Sequence, residues 1–278
     1  MHNSPIKLIE ATPLVAQRVE TVHDSFMWGR DAFTKLLDGN IMNWDQLLFC
    51  MTDRKLLMSD SYSGICANVT ADSYIKNAAG SFVAGRDATL FKDSVDAIEF
   101  DHLYSVEIKA KNRAEIIAHP DGPDCVFTNL LDFCEKRHRR ACGLDGGKEL
   151  RADELEALLP RSSVILDGFC ERHNRICRMK SADGHTAGHT CVDHSAMGRH
   201  AGKMGKHMKV FFIFVALRRR LKEKVLWLEN VLSFGITTIE KHLGDLYFMV
   251  RVETSPLSLG WQVERKRQIV VCFLKAII

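Results

Sequence analysis

Residues 224–231 read KVLWLENV, and this stretch decides the fold class that we predict. The apolar run that ends at Leu228 is typical of a buried strand. Glu229 directly follows the run, and an unpaired carboxylate inside a core is costly, so we expect it to have a partner or a function. Because α/β sheets deliver functional groups at the carboxyl ends of their strands, the stretch predicts an α/β sheet with Glu229 at such an end.

Further strands and helices alternate along the chain. Apolar runs predict strands at 54–58, 103–107, 125–131, 164–166, 225–228 and 247–252, and helices at 67–79 and 110–119. This alternation is typical of a doubly wound, mostly parallel sheet. We predict a helical lead-in over 1–53 and one main domain over 54–278, interrupted by an insertion or lid at about 135–187.

Composition favours a globular intracellular protein. The chain has 278 residues, of which 46% are hydrophobic, and apolar runs such as 210–217 are too short for a membrane helix. We expect no signal peptide and no membrane contact, so the nine cysteines are predicted to be reduced thiols. The net charge is only +3, but basic residues cluster at 136–140, 218–224 and 265–267, where they could contact phosphate groups. The cluster at 136–140 is also a weak indication of a nuclear localisation signal.

A second chemical motif lies upstream of Glu229. Residues 188–198 read GHTCVDHSAMG and place Cys191 in a loop between small residues. A lone cysteine is most often a small buried hydrophobe. A nucleophile is recognised by its partners, and the downstream acid makes Cys191 a candidate for covalent chemistry on an electrophilic ring.

Polar or small residues also follow the first three predicted strands. The turn Tyr62, Ser63, Gly64 and Ile65 follows the first strand, Glu107 ends the second, and Asp132 comes just after the third. Each alone is typical of an ordinary turn or a solvated cap. Their order favours a nucleotide-like ligand, with the carboxylates accepting hydrogen bonds from ribose and from an exocyclic amine.

Over about residues 56–269 these motifs together resemble the C5-cytosine methyltransferases. The resemblance implies a Rossmann-like fold that binds S-adenosylmethionine through Tyr62, Ser63, Gly64, Ile65, Glu107 and Asp132. The Glu-Asn-Val motif matches Glu229, Asn230 and Val231, and an Arg-x-Arg motif matches Arg265 and Arg267. The proline-cysteine loop of the family corresponds to Thr190 and Cys191.

The family's chemistry assigns a role to each matched catalytic residue. Cys191 would add to C6 of cytosine and Glu229 would protonate or hydrogen-bond N3, while Arg265 and Arg267 orient the base. The implied substrate is DNA, whose target cytosine must be flipped out of the duplex. A cytosine-C5 RNA methyltransferase is an alternative.

Several positions depart from the family pattern. Thr190 stands where the family has proline, Val192 where it has glutamine, and Cys66 where it has a second glycine. The given sequence continues for eleven residues after Arg267, where the family has a target-recognition region, so a partner chain that supplies recognition is expected. A degenerate methyltransferase fold that binds nucleic acid or a partner without catalysis is the other alternative.

A zinc module is a competing interpretation of a histidine- and cysteine-rich stretch. Small zinc sites favour Cys pairs two to four residues apart and His pairs three to five apart. His185 with His189 fits the second spacing, whereas Cys170 and Cys177 are too far apart for the first. We therefore expect no metal among the residues of this stretch: Cys170, His173, Cys177, His185, His189, Cys191, His194, His200 and His207.

Overall fold

The computed structural model describes residues 7–8, 55–62, 99–159, 164–188, 205, 207–255 and 264–277. The helix predicted at 67–79 and nearly all of the predicted lead-in over 1–53 lie outside these residues. Among the described residues, no helix is long and apolar enough to cross a membrane.

Ten strands within the described residues join one sheet. They are β1 Lys7–Leu8, β2 Leu56–Ser61, β3 Phe100–Val106, β4 Cys125–Phe127, β5 Asp167–Cys170, β6 Arg175–Arg178, β7 Gly184–Ala187, β8 Val225–Asn230, β9 Tyr247–Thr254 and β10 Arg267–Leu274. The spatial order is β1-β9-β10-β8-β7-β2-β3-β4-β5-β6.

The centre of the sheet is parallel and its flanks are mixed. Strands β8, β7, β2, β3 and β4 pair in parallel, whereas β10 is antiparallel to both β8 and β9, and β5 and β6 are added antiparallel beyond β4. The predicted α/β class is confirmed. The doubly wound arrangement stays a prediction.

The strand order reverses between β2 and β7. From β2 the chain proceeds outward to β3 and β4, and it later returns to β7 and proceeds in the other direction to β8. Such a reversal opens a crevice at the carboxyl ends of the two central strands, where α/β sheets bind ligands. The described chain reaches this edge at Tyr62 after β2 and at Gly188 after β7.

Five helices accompany the sheet in the described part of the chain. They are α1 Ala110–Ala118, α2 Lys136–Arg139, α3 Ala152–Leu158, α4 Met208–Leu221 and α5 Ile236–Leu243. Helix α4 is buried over most of its length and packs against α3 and α5. It ends where Lys222 adopts a left-handed backbone conformation and its N–H bonds to the Arg218 carbonyl.

Two predicted elements differ from the structure in detail. The strand predicted at 125–131 ends at Phe127, because the Asn129 side chain accepts the N–H of Leu131 and starts the 3₁₀ turn Leu130–Phe133. The strand predicted at 164–166 is a single bridge between Val164 and Cys134. Strand β7 lies within the stretch interpreted as an insertion, yet it is a central strand; the domain division stays a prediction.

A polar network is buried under the central strands. The guanidinium of Arg218 forms an ion pair with Glu223 at 2.5 Å and donates to the Tyr104 hydroxyl at 3.0 Å. Nearby, the Ser59 hydroxyl lies 2.8 Å from Nδ1 of His185. All five side chains are at most 1% exposed, so helix α4 and three strands are tied together by polar contacts inside the core.

The stability of the fold should therefore depend on the protonation of His185. Burial, together with the Arg218 guanidinium, holds the pKa of His185 well below its ordinary value. The unfolded chain protonates this ring below about pH 6.5 while the folded chain does not, so stability should fall with falling pH by up to about 1.4 kcal/mol per unit. Above that pH the ring is neutral in both states and contributes no pH dependence.

Urea unfolding of wild type and His185→Gln measures this effect. The pH range should run from about 5.5 to about 7.5, which is about one unit on either side of the ordinary histidine pKa. The variant should lose less stability on acidification than wild type does. Burial also lowers the pKa of His242, so a smaller slope remains in both proteins. Equal pH slopes in the two proteins would show that His185 is not held neutral by the fold.

Candidate functional site

The predicted site residues within the described chain gather at one edge of the sheet. Strands β2, β3, β4 and β8 are oriented alike in the parallel centre, so their carboxyl ends share that edge. Tyr62 and Glu107 directly follow β2 and β3, Asp132 lies in the 3₁₀ turn after β4, and Glu229 is the penultimate residue of β8.

The register between β8 and β10 brings together two residues that are far apart in sequence. Glu229 pairs with Ile269, and Arg267 lies two residues before Ile269 on the same face of β10. Diagonal neighbours of this kind are within reach of long side chains. Nε of Arg267 lies 2.8 Å from Oε1 of Glu229, whose side chain is 47% exposed.

The end of β7 lies beside this ion pair. A Cβ built on Gly188 would stand 3.4 Å from Oε2 of Glu229, so the backbone of Gly188 passes close to the carboxylate. Gly188 is the last described residue before the loop that carries Cys191, three positions further along the chain. The first residue of the Cys191 motif therefore lies beside Glu229.

The turn after Glu229 is held in place from β10. Gln268 is buried, and its side-chain amide donates to the Val231 carbonyl at 3.0 Å and also to the Phe234 carbonyl. Oδ1 of Asn230 accepts the N–H of Val231 at 2.7 Å. Gln268 was not predicted from the sequence, although it directly follows the Arg-x-Arg motif; these bonds fix the position of the strand end that carries Glu229.

Arg265 lies outside the strand pairing. It is exposed, two residues before Arg267, and its backbone N–H donates to the Ser255 hydroxyl at 3.3 Å. The structure thus brings Arg267, but not the side chain of Arg265, into contact with Glu229. The orienting role of Arg265 stays a prediction.

Tyr62 turns the chain sharply after β2. Its φ of 62° is in the left-handed region, which a bulky residue rarely adopts, and its N–H donates to the Val106 carbonyl at 2.8 Å. The ring is half-buried beside Phe214 on α4, with 6.5 Å between ring centroids, and burial raises the pKa of its phenol. The strained turn sends the chain into the predicted cofactor loop.

The two predicted ligand acids have different surroundings. Glu107 is buried, and its Oε1 accepts the N–H of Lys109 at the start of α1 at 2.8 Å. Asp132 is exposed, and its Oδ2 accepts from the Thr128 hydroxyl at 2.9 Å. Glu107 thus holds the chain just before α1 whether or not it binds ribose, whereas Asp132 faces solvent at the carboxyl edge.

Ser61 offers a further polar group at the same edge. Its hydroxyl is buried at the end of β2 and, within the described part of the chain, has no hydrogen-bond partner. A buried polar atom without a partner calls for an explanation such as a ligand or water. An orphaned hydroxyl at the strand reversal, with Glu107 one strand away, fits a polar, nucleoside-like ligand in the crevice.

Several predicted site residues lie outside the described residues: Ser63, Gly64, Ile65 and Cys191. Among the histidines and cysteines weighed for zinc, His189, His194 and His200 are also outside. His185 is buried in the core, where its ring contacts Ser59, so it does not belong to a zinc cluster with the other histidines of that stretch within the described residues.

No protein-family model and no curated protein matches the sequence. Solved structures are similar at low identity, and the chain spans about half their length. A candidate DNA modification methyltransferase encoded within a prophage (E. coli) is 12% identical with a TM-score of 0.44, and the match covers 80% of this chain and 48% of that one.

Two further similar structures come from eukaryotes. The Dnmt2 methyltransferase of S. pombe is 14% identical with a TM-score of 0.42, covering 79% of this chain and 51% of that one. The methyltransferase EhMeth of Entamoeba histolytica is 12% identical with a TM-score of 0.43, covering 80% and 54%. Likeness at this level does not establish an activity, so the function has to follow from the residues of the site.

Proposed function

We propose that the chain transfers a methyl group from S-adenosylmethionine to C5 of cytosine in DNA, through a covalent bond between Cys191 and C6. The observation that carries the proposal is the Glu229–Arg267 ion pair beside Gly188. The pair joins the Glu-Asn-Val motif of β8 to the Arg-x-Arg motif at the start of β10, and Gly188, after β7, lies beside it.

The nucleophile is within reach of the acid by chain length alone. Cys191 follows Gly188 by three residues, and three residues of extended chain span at most about 11 Å. Addition of the Cys191 thiolate to C6 makes C5 nucleophilic, so that C5 can accept a methyl group. Methyl transfer leaves S-adenosylhomocysteine, and loss of the C5 proton to a base with expulsion of the thiolate from C6 then releases 5-methylcytosine and regenerates the enzyme.

Glu229 and Arg267 supply the charge that the addition needs. As the thiolate adds to C6, negative charge develops on the ring, and a proton from Glu229 to N3 neutralises it. The carboxylate left behind is stabilised by the Arg267 guanidinium at 2.8 Å. The ion pair is formed by the ionised carboxylate, so Glu229 has to take up the proton for N3 when the base binds, and it can take that proton back when the thiolate leaves.

The methyl donor would bind at the reversal between β2 and β7. S-adenosylmethionine supplies an electrophilic methyl group on a sulfonium. Glu107 and Asp132, one strand and two strands away from β2, are in the order expected for ribose and adenine contacts, and Ser61 adds a buried hydroxyl. The residues that would complete the loop are Ser63, Gly64 and Ile65.

Replacing Glu229 with glutamine should lower methyl transfer by about 10²–10⁴-fold, since an amide keeps the shape but cannot donate a carboxyl proton. Initial rates with radiolabelled S-adenosylmethionine and cytosine-containing DNA measure the loss. Glu253→Gln is the matched control, because Glu253 forms a similar pair with Arg251 at 2.7 Å on β9. Equal rates for Glu229→Gln and wild type would remove Glu229 from the mechanism.

The substrate is tested by assaying wild type on duplex DNA, single-stranded DNA and RNA of the same sequence. Transfer to DNA supports the proposal. Transfer to RNA alone would assign the chain to the RNA methyltransferase alternative. Binding of S-adenosylmethionine without transfer to any of them would favour a catalytically degenerate protein.

A further inference from the structure

Four metal-ligating side chains converge on β4 and the β5–β6 hairpin, on the opposite flank of the sheet from Glu229 and Arg267. Cys125 begins β4, Cys170 ends β5, His173 lies in the turn that follows, and Cys177 is in β6. One potential ligand atom from each residue lies within 4.8 Å of the other three. None of these residues has a role in the proposed methyl transfer.

The three nitrogen–sulfur distances match those around a tetrahedral metal ion. Nδ1 of His173 lies 3.4 Å from Sγ of Cys170, 3.5 Å from that of Cys177 and 3.7 Å from that of Cys125. Ligands at the usual zinc distances of about 2.3 Å for sulfur and 2.0–2.1 Å for nitrogen are separated by about 3.6 Å at a tetrahedral angle. One nitrogen thus stands at the correct distance from all three sulfurs.

Neighbouring groups hold the ligands in place. The backbone N–H of Val126 donates to Sγ of Cys170 at 3.4 Å, a bond that also stabilises a thiolate. The turn that carries His173 is fixed to α1 by the ion pair of Glu171 with Arg113. Arg172 donates to carbonyls near the end of the same helix, including Ile117 at 3.2 Å.

We propose that Cys125, Cys170, His173 and Cys177 form a structural zinc site. Three thiolates and one imidazole are a typical ligand set for structural zinc, and four protein ligands leave no open position for a substrate. Cys125 is at the opposite end of β4 from the turn that contains Asp132. None of the four ligands is a proposed catalytic residue, and β7, β2 and β3 lie between β4 and the strand that carries Glu229.

Zinc would fasten the β5–β6 hairpin to the parallel sheet. The ladder between β4 and β5 consists of one residue pair, Phe127 with Cys170, which is little pairing for a hairpin that exposes Phe169 and Ile176. A metal bound by one residue of β4 and three of the hairpin adds a cross-link at that junction. The ligands come from two separate parts of the sequence, which is why the spacing rule for adjacent pairs did not predict them.

The test measures metal in the full chain, purified without chelators. We expect about one zinc per chain, with X-ray absorption showing three sulfur ligands at about 2.3 Å and one nitrogen at about 2.0–2.1 Å. His173→Ala removes a direct ligand and should therefore weaken zinc binding by more than about 100-fold. Loss of a group that only hydrogen-bonds to a ligand costs about 10–100-fold. His173→Cys should retain the metal through a fourth thiolate.

The matched control is Cys134→Ala, because Cys134 and Cys142 form a buried thiol pair 3.9 Å apart that belongs to no metal-ligating cluster among the described residues. That variant should keep the full zinc content. Wild type with well under one zinc, with iron in its place, or with a disulfide among the three cysteines would overturn the proposal. So would a His173→Ala variant that binds zinc as tightly as wild type.

Discussion

Cys191→Ser is expected to abolish methyl transfer, lowering the rate by at least about 10⁴-fold, as loss of a catalytic nucleophile typically does. Serine is nearly isosteric, but its hydroxyl stays protonated near neutral pH, whereas a thiol with a pKa of about 8.5 is readily activated. Without a thiolate at C6, C5 remains too weak a nucleophile to take the methyl group. Incorporation of labelled methyl groups into DNA measures the rate.

The control for this variant is Cys272→Ala. Cys272 is buried in β10, and burial raises the pKa of its thiol to about 12, so it is an inert thiol near neutral pH. The control should transfer methyl groups at the wild-type rate. A Cys191→Ser protein that retains more than about a hundredth of wild-type activity would contradict a covalent mechanism through this residue.

Glu223→Ala is expected to destabilise the fold by about 3–5 kcal/mol, because it leaves the Arg218 guanidinium charged and unpaired in the core. Both partners are fully buried, 2.5 Å apart, so water cannot replace the lost carboxylate without disturbing helix α4. At roughly 2–4 °C per kcal/mol for a chain of this size, the thermal midpoint should fall by about 6–20 °C. Urea unfolding gives the free energy directly.

The double variant Arg218→Met with Glu223→Leu separates the two possible causes. Removing both charges leaves no buried ion without a partner, so this protein should be much more stable than Glu223→Ala and close to wild type. Arg218 also donates to Tyr104, which loses that donor in the double variant. A Glu223→Ala loss below about 1 kcal/mol, the size expected of an exposed pair, would show that the pair is not buried in solution.

Hydrophobic patterning was sufficient for the fold class and for five of the ten strands in the described part of the chain. The strands of β3, β8 and β9 and the helix α1 lie within a few residues of their predicted bounds, since each has a clear apolar period. Strand β7 was missed because it is four residues long, GHTA, and its buried His185 reads as polar. The buried ring of His185 contacts Ser59 on the neighbouring strand β2, which is far away in sequence, so the residues around β7 alone do not reveal this contact.

The sequence named candidate residues for the site, but it did not predict the contacts between them. Glu229 and Arg267 were identified by motif, whereas their ion pair depends on the β8–β10 register and on the diagonal position of Arg267. For the proposed zinc ligands, the sequence did not predict even which residues belong together. Cys125 lies 45 residues before Cys170, and only the parallel sheet and its hairpin bring them together.

The most direct test of the proposed covalent mechanism uses an oligonucleotide with 5-fluorocytosine and S-adenosylmethionine. After Cys191 adds to C6 and C5 is methylated, fluorine occupies the place of the proton that must leave, so the adduct persists. We predict a denaturation-resistant DNA complex, with the oligonucleotide mapped to the Cys191 peptide by mass spectrometry, and none with Cys191→Ser. A folded wild-type protein that binds S-adenosylmethionine but forms no adduct with DNA would contradict the mechanism.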